Sequence, residues 1–249
     1  MVRTSKPHEY AAKRTEILNA TMALILSKGY ERTTIREILD GLGISKGAFY
    51  HYFDSKAAVV DAFIDQIRTV TEPALLPIVN DPELAAIDKL QRFFSTFDRL
   101  RAGNMSFVVS LGMAWYSDAN ALVRAKVNRA IREQRAPLLT TIVRQGIGEG
   151  VFSCEHPDDS GGIIMSLIQG MAGLHAKLLW QPTSESDDRR RSERIAQSHA
   201  AYMDAIERVL GAPAQSLNRV DKKSVLAWLR AVQNRPSAEA ASALLGEAR

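Results

Sequence analysis

Residues 33–53, TTIREILDGLGISKGAFYHYF, leave the chain little choice of local structure. Thr34, followed three positions later by Glu37, is a capping box in which hydroxyl and carboxylate satisfy the backbone donors that open a helix. Behind it Ile35, Ile38, Leu39 and Leu42 fall on one helical face, and Gly43 is placed to end the helix in a left-handed cap. Ser45 is a second N-cap, and Ile44 before it can staple onto Phe49 at the fourth helical position. Two short helices joined by a tight glycine turn are therefore expected. The second of them poses a question, because the run FYHYF at 49–53 puts rings on every side of a helix, and some must face away from the core.

The rest of the chain is punctuated by Gly and Pro into segments of helical period, and none alternates as a half-buried strand does. The expected fold is all-α: an N-terminal three-helix helix-turn-helix unit over 1–55, a larger C-terminal helical bundle over 56–212, and an extension over 213–249 of unknown role. Helices are predicted at 10–28, 35–42, 45–53 and 55–68, with Pro73 and Pro77 breaking the fourth. Longer ones follow at 82–100, 106–116, 120–145, 159–179 and 193–210, and Pro137 should kink the third of these. The tail carries two short patterns, 224–232 and 237–245, and the segment TSESDDRRRSER reads as a polar, solvated connection. At 46% hydrophobic residues over 249 positions, the chain can bury a sizeable core. It lacks both a run of ~18 apolar residues and a secretory leader, which points to a cytoplasmic protein without a membrane segment. The single cysteine, Cys154, agrees with a reducing compartment.

Helix-turn-helix units place their second helix in the major groove of DNA. On 45–53, Phe49 and Phe53 share the stapled face and should point inward, leaving Lys46, Gly47, Ala48 and Tyr50 outward. Small residues let DNA approach, and exposed Tyr and His can donate to phosphates. Lys46 puts a cation at a helix N-terminus, where the dipole disfavours it and an anionic partner would relieve it. Residues 1–60 hold nine Lys/Arg against six Asp/Glu, an excess of +3 that favours a nucleic-acid contact there. The residues alone leave a second role open: Tyr50, His51 and Tyr52 covering the small bundle, with Lys46 a solvated charge.

The stretch TTIREILDGLGISKGAFYHYFDSKAAVV, within 11–67, resembles the DNA-binding domain of the TetR family of bacterial transcriptional regulators. The resemblance covers about a quarter of the chain by motif and the remainder only by helical architecture. It implies double-stranded operator DNA as partner, with Ser45, Lys46, Gly47 and Ala48 toward the bases. Tyr50, Tyr52, Lys56 and the Thr34/Arg36 helix start would lie toward phosphates, with His51 at a variable position. Ala48 departs from the polar residue often found there, so fewer direct base contacts are available and DNA shape gains weight.

One short helix reads only a few base pairs, so a symmetric homodimer on a palindromic operator is implied. The resemblance puts its interface on 159–179 and 193–210, and the series Gly161, Gly162, Ser166, Gly170 and Gly173 suits close helix approach there or within the chain. It also implies a repressor released by a small, mainly hydrophobic or aromatic effector. The pocket would be lined by Phe93, Phe97, Phe107, Met113, Trp115, Tyr116 and Met165, with Gln169 and His175 as polar handles. The alternative is a regulator without a small-molecule effector, controlled by a protein partner or constitutive. No phosphate-binding glycine loop, paired His at metal spacing or GxSxG occurs, so no catalytic site, cofactor or metal is expected. Cys154-Glu155-His156 is not by itself a dyad.

Overall fold

Side-chain caps set the N-terminal third. The computed structural model describes residues 5–103, 112–180 and 185–233. Helix α1 (Ser5–Lys28) stops at Gly29, whose φ of 94° is the left-handed region open to glycine. Thr34 Oγ1 accepts from the Glu37 N–H at 3.2 Å, a Glu37 carboxylate oxygen accepts from the Thr34 N–H at 3.0 Å, and α2 (Ile35–Leu42) begins. Gly43, at φ 60°, ends it. Ser45 Oγ accepts from the Ala48 N–H at 3.1 Å to open α3 (Lys46–Tyr52), and Ser55 repeats the device on Ala58 for α4 (Lys56–Asn80).

The apolar faces of these helices meet in one cluster: Ile17 and Ile25 from α1, Ile38 from α2, Phe49 and Phe53 from the α3 end. The first 55 residues do not close it. Val59, Val60 and Ala62 of α4 and Val123 and Val127, much later in the chain, complete it.

The body follows with α5 (Ala86–Gly103), a helical stretch at 112–115, a single 3-10 turn at Asp118–Asn120, and α6 (Ala121–Gly148). Then come α7 (Pro157–Trp180), α8 (Glu185–Leu210) and, in the extension, α9 (Lys222–Gln233). Among the described residues there is no strand. A second core joins α4 to α8 through Leu75, Leu90, Phe93, Leu139, Ile142, Ile164 and Ile206. Gly161 lets α7 cross α6 closely, since a Cβ there would fall 2.0 Å from the Ala136 carbonyl oxygen.

Three expectations are corrected. Helix α4 does not break at Pro73 and Pro77 but continues to Asn80, burying Thr71, Leu75 and Val79. Both prolines lie on its exposed side, where water can satisfy the carbonyls that lose their donors; helix α6 likewise runs through exposed Pro137. The RRR run is not a solvated loop either, because α8 starts at Glu185, eight residues before the expected 193. Arg191 is buried, paired with Asp188 at 2.8 Å, and donates to the carbonyls of Leu178 and Leu179, capping the end of α7. Helix α5, expected at 82, begins at Ala86, whose N–H donates to Glu149 from the far end of α6 at 2.9 Å. Most of the expected helix 106–116 and all of 237–245 lie outside the described residues.

The described part of the extension, up to Gln233, is anchored to the body. Buried Glu207 accepts from the N–H groups of Gln215 and Leu217 and from the Arg219 guanidinium, which also reaches Asp204. The Arg219 hydrogen bond holds the Glu207 carboxyl down to about 2. Beyond it Val225 and Leu229 of α9 close a third small core on Ile195.

By length and composition α7 is apolar enough to cross a membrane. Its Ile164, Met165, His175 and Ala176 are buried, but only 22% of its apolar window is.

Candidate nucleic-acid interface

The aromatic run of α3 sorts itself by side. Phe49 and Phe53 are buried, their rings 6.2 Å apart, and the Arg14 guanidinium lies 4.7 Å over the Phe53 ring. Tyr52 is half-buried and packs on Tyr10 of α1 at 4.7 Å, and exposed His51 meets the same Tyr10 edge-on at 5.5 Å. Tyr50 is left outward at 42% exposure, with the Lys46 ammonium 5.9 Å from its ring. Ser45, Lys46 and Gly47 are exposed beside it, and Ala48 is half-buried. No neighbour crowds Gly47: a Cβ there would meet nothing nearer than the Ser45 hydroxyl at 4.0 Å. Its smallness therefore serves no contact inside the described fold.

The two lysines expected at the interface differ. Lys46 projects from the first turn of α3 into solvent. Lys56 is half-buried, donates to the carbonyl oxygens of Tyr30 and, at 2.7 Å, Thr33, and lies 4.1 Å over the Tyr30 ring. It ties the turn between α1 and α2 to the start of α4, which leaves at most one of its three N–H groups for a phosphate. Thr34 is exposed but its hydroxyl and N–H are both engaged with Glu37. Arg36 is solvent-directed, 3.8 Å from Asp40. The Glu37 carboxyl is drawn down to about 2, first by its hydrogen bond from Lys28 at 2.6 Å and then by the Thr34 N–H.

The unit is fastened to the body at identifiable points. Asn120, fully buried, donates from Nδ2 to the Leu26 carbonyl of α1 at 3.1 Å and to Ala114 at 3.0 Å. A Cβ on Gly29 would come within 2.8 Å of the Ala119 methyl. Lys126 of α6 pairs with Asp61 of α4 at 2.6 Å, and Trp115 meets Phe63 at 6.5 Å. Sequence reading missed Asn120 and Ala119, because their partners lie some ninety residues away.

Among the described residues, the expected effector-pocket side chains do not converge on one cavity. Phe93 and Met165 fill the body core, Trp115 joins the N-terminal cluster, and Met113 is exposed. Tyr116 stacks on Trp180 at 5.9 Å. Gln169 donates to the Asn128 carbonyl at 2.7 Å and His175 is hydrogen-bonded to Ser198 at 3.0 Å, so both handles are satisfied within the fold. The Phe97 side chain and Phe107 lie outside the described residues. Cys154 packs against the body core, whereas Glu155 and His156 are exposed. No group of three His, Cys, Asp or Glu placed to hold a metal occurs among the described residues.

On α7 the small residues divide by face. Gly161 is used against α6, while Gly162, Ser166 and Gly170 border an open groove of about 740 Å3 together with Ile163 and Tyr202.

Residues 17–63 match the family model described as bacterial regulatory proteins, tetR family. The HTH-type transcriptional repressor KstR2 of Rhodococcus jostii is 41% identical over 54 residues, which span 22% of this chain and only about a quarter (26%) of that protein. The repressor of the same name from Mycolicibacterium smegmatis is 36% identical over 155 residues, 59% of this chain and 70% of that one. The solved reduced form of E. coli NemR, at 19% identity and a TM-score of 0.50, covers 81% of this chain and all of that chain, a likeness of fold alone.

Proposed function

The chain belongs to the tetR family of bacterial regulatory proteins, and from that premise we propose that it is a ligand-responsive repressor. It binds a palindromic operator as a homodimer, acts inside the cell, and is released by a small, mainly apolar effector. The observation that carries this reading is the outward face of α3, where Lys46, Gly47 and Tyr50 stand exposed over a buried Phe49–Phe53 anchor. Lys46 offers a donor to base edges, Gly47 and Ala48 allow the backbone close, and Tyr50 and Arg36 reach flanking phosphates. Tyr52 and Lys56 position this surface more than they extend it. Ser166, Gly170 and Ile163 on α7 support a symmetric interface with a second copy, which would set two α3 helices about one duplex turn apart.

Coupling runs through both ties to the body. Helix α4 contributes to both cores, and Asn120 holds the end of α1, so a shift of α6 against α4 tilts the whole N-terminal unit. An effector acts only by its difference in affinity between the two arrangements. One observation favours the alternative of control without a small molecule: Phe93 and Met165, expected to line a pocket, are solidly packed. Mobility-shift titration of operator fragments by purified protein tests the reading. Sequence-specific shifts that Lys46→Ala weakens are expected, and binding that ignores both sequence and Lys46 would refute it.

A further inference from the structure

The helix-turn-helix is not the only basic part of this chain. Helix α6 carries six Lys/Arg against the single Glu133, a net +5 in a chain whose total is +4. Lys126, Arg129 and Arg132 recur every third residue and so share a face. That face borders a half-open cleft of about 450 Å3 where α6 meets α4 and the turn after α1. The remaining lining is apolar: Val60 and Val123 are buried, Tyr30 is half-buried, and Leu122 stands 60% exposed. Apolar walls with a few placed charges, at this volume, are the makeup of a small-molecule site.

The three cations are not equally committed. Lys126 is held by Asp61 at 2.6 Å. Arg129 reaches Glu133 only at 4.0 Å, with both side chains about two-thirds exposed (65% and 69%), a pair that water screens and a ligand displaces easily. Arg132 has no ion pair within 4 Å among the described residues and borders both this cleft and the groove along α7.

We infer that this junction cleft binds an amphiphilic organic anion, a carboxylate or phosphate head on an apolar or aromatic body. Arg132 and Arg129 hold the head through paired N–H donors, and Tyr30, Val60 and Leu122 cover the body. The inference rests on the ligand-responsive reading above and moves its site away from the Phe93–Met165 core. Tyr30 belongs to the N-terminal unit, Val60 to the α4 start that packs on it and the arginines to α6, so an occupant touches both sides of the junction and resets the angle of α3.

Calorimetric titration of full-length protein with 2-naphthoate, 2-naphthyl phosphate and decanoate, each against an uncharged counterpart (2-naphthamide, 2-naphthol, decanamide), tests it. At least one acid should bind about tenfold or more tighter than its neutral counterpart, the scale of charge-assisted hydrogen bonds. Arg132→Gln should remove that advantage without changing the melting temperature, and Leu122→Trp, which fills the mouth, should weaken acid and neutral compound alike. The naphthoate and naphthyl phosphate arms separate a carboxylate-reading from a phosphate-reading site. Acids that bind no tighter than the neutral compounds, or an advantage that survives Arg129→Gln with Arg132→Gln, would overturn the inference. Operator binding is measured on the same preparation. Intact operator binding with no acid binding refutes the cleft alone, whereas acid binding without operator binding refutes the regulator reading and leaves the cleft standing.

Discussion

Helices α3 and α7 each carry small residues on a face left open among the described residues, and the difference between them lies in what surrounds those residues. On α3, Gly47 and Ala48 are flanked by Lys46 and Tyr50, hydrogen-bond donors that suit a polyanion. On α7, Gly162, Ser166 and Gly170 sit with Ile163, 41% exposed, and the half-buried ring of Tyr202. The first face has seven residues and is useful only if something holds it rigid from behind, which Phe49 and Phe53 do. The second runs along a 24-residue helix, long enough to bury the area that a stable dimer needs. Small residues permit close approach; their neighbours choose the partner.

Breaking the α7 face should have the largest effect. Ser166→Trp with Gly170→Trp is expected to leave a folded monomer by light scattering and to lower operator affinity on the order of a thousandfold, toward the non-specific level. Next comes the α3 face. Lys46→Ala should cost about tenfold or more on the operator and little on unrelated DNA, read by mobility shift at fixed salt.

Lys56→Met sharpens the contrast between a reader and a support. Removing an ammonium that binds two carbonyls should destabilise the fold by about 1–3 kcal/mol in denaturant melts, while DNA affinity at low temperature falls less than for Lys46→Ala. The smallest effect belongs to Glu37, which closes the capping box with Thr34 at the start of α2 and pairs with Lys28. Its folded pKa, about 2, lies below the ordinary 4.5, so its contribution is whole above pH 4.5 and lost as pH falls toward 2. Melting curves across that window should show Glu37→Gln less acid-sensitive than the parent protein.

These contrasts also explain what could be read in advance. The caps of α2 and α3, the inward Phe49 and Phe53 and the exposed Lys46 follow from neighbours within four residues, so sequence carries them. The resemblance assigns Lys56 to a phosphate, and its hydrogen bonds to the carbonyls of Tyr30 and Thr33, more than twenty residues back, are beyond any local pattern. The start of α5 depends on Glu149, the start of α8 on Arg191 reaching the end of α7, and the passage through Pro73 and Pro77 on which side of α4 faces water. None of these is local. Aromatic and Met side chains at helical spacing suit a pocket and a solid core equally well. The basic face of α6 was visible as a charge pattern but was averaged away in the +1 balance of residues 61–249.

Selection of bound duplexes from a random DNA library by the full-length protein tests the central claim most directly. Enrichment of two inverted half-sites about one duplex turn apart, about 34–36 Å between centres, with the preference lost in Lys46→Ala, is the predicted result. A library that emerges without an enriched sequence, or with one unpaired half-site bound equally by Lys46→Ala, would contradict it.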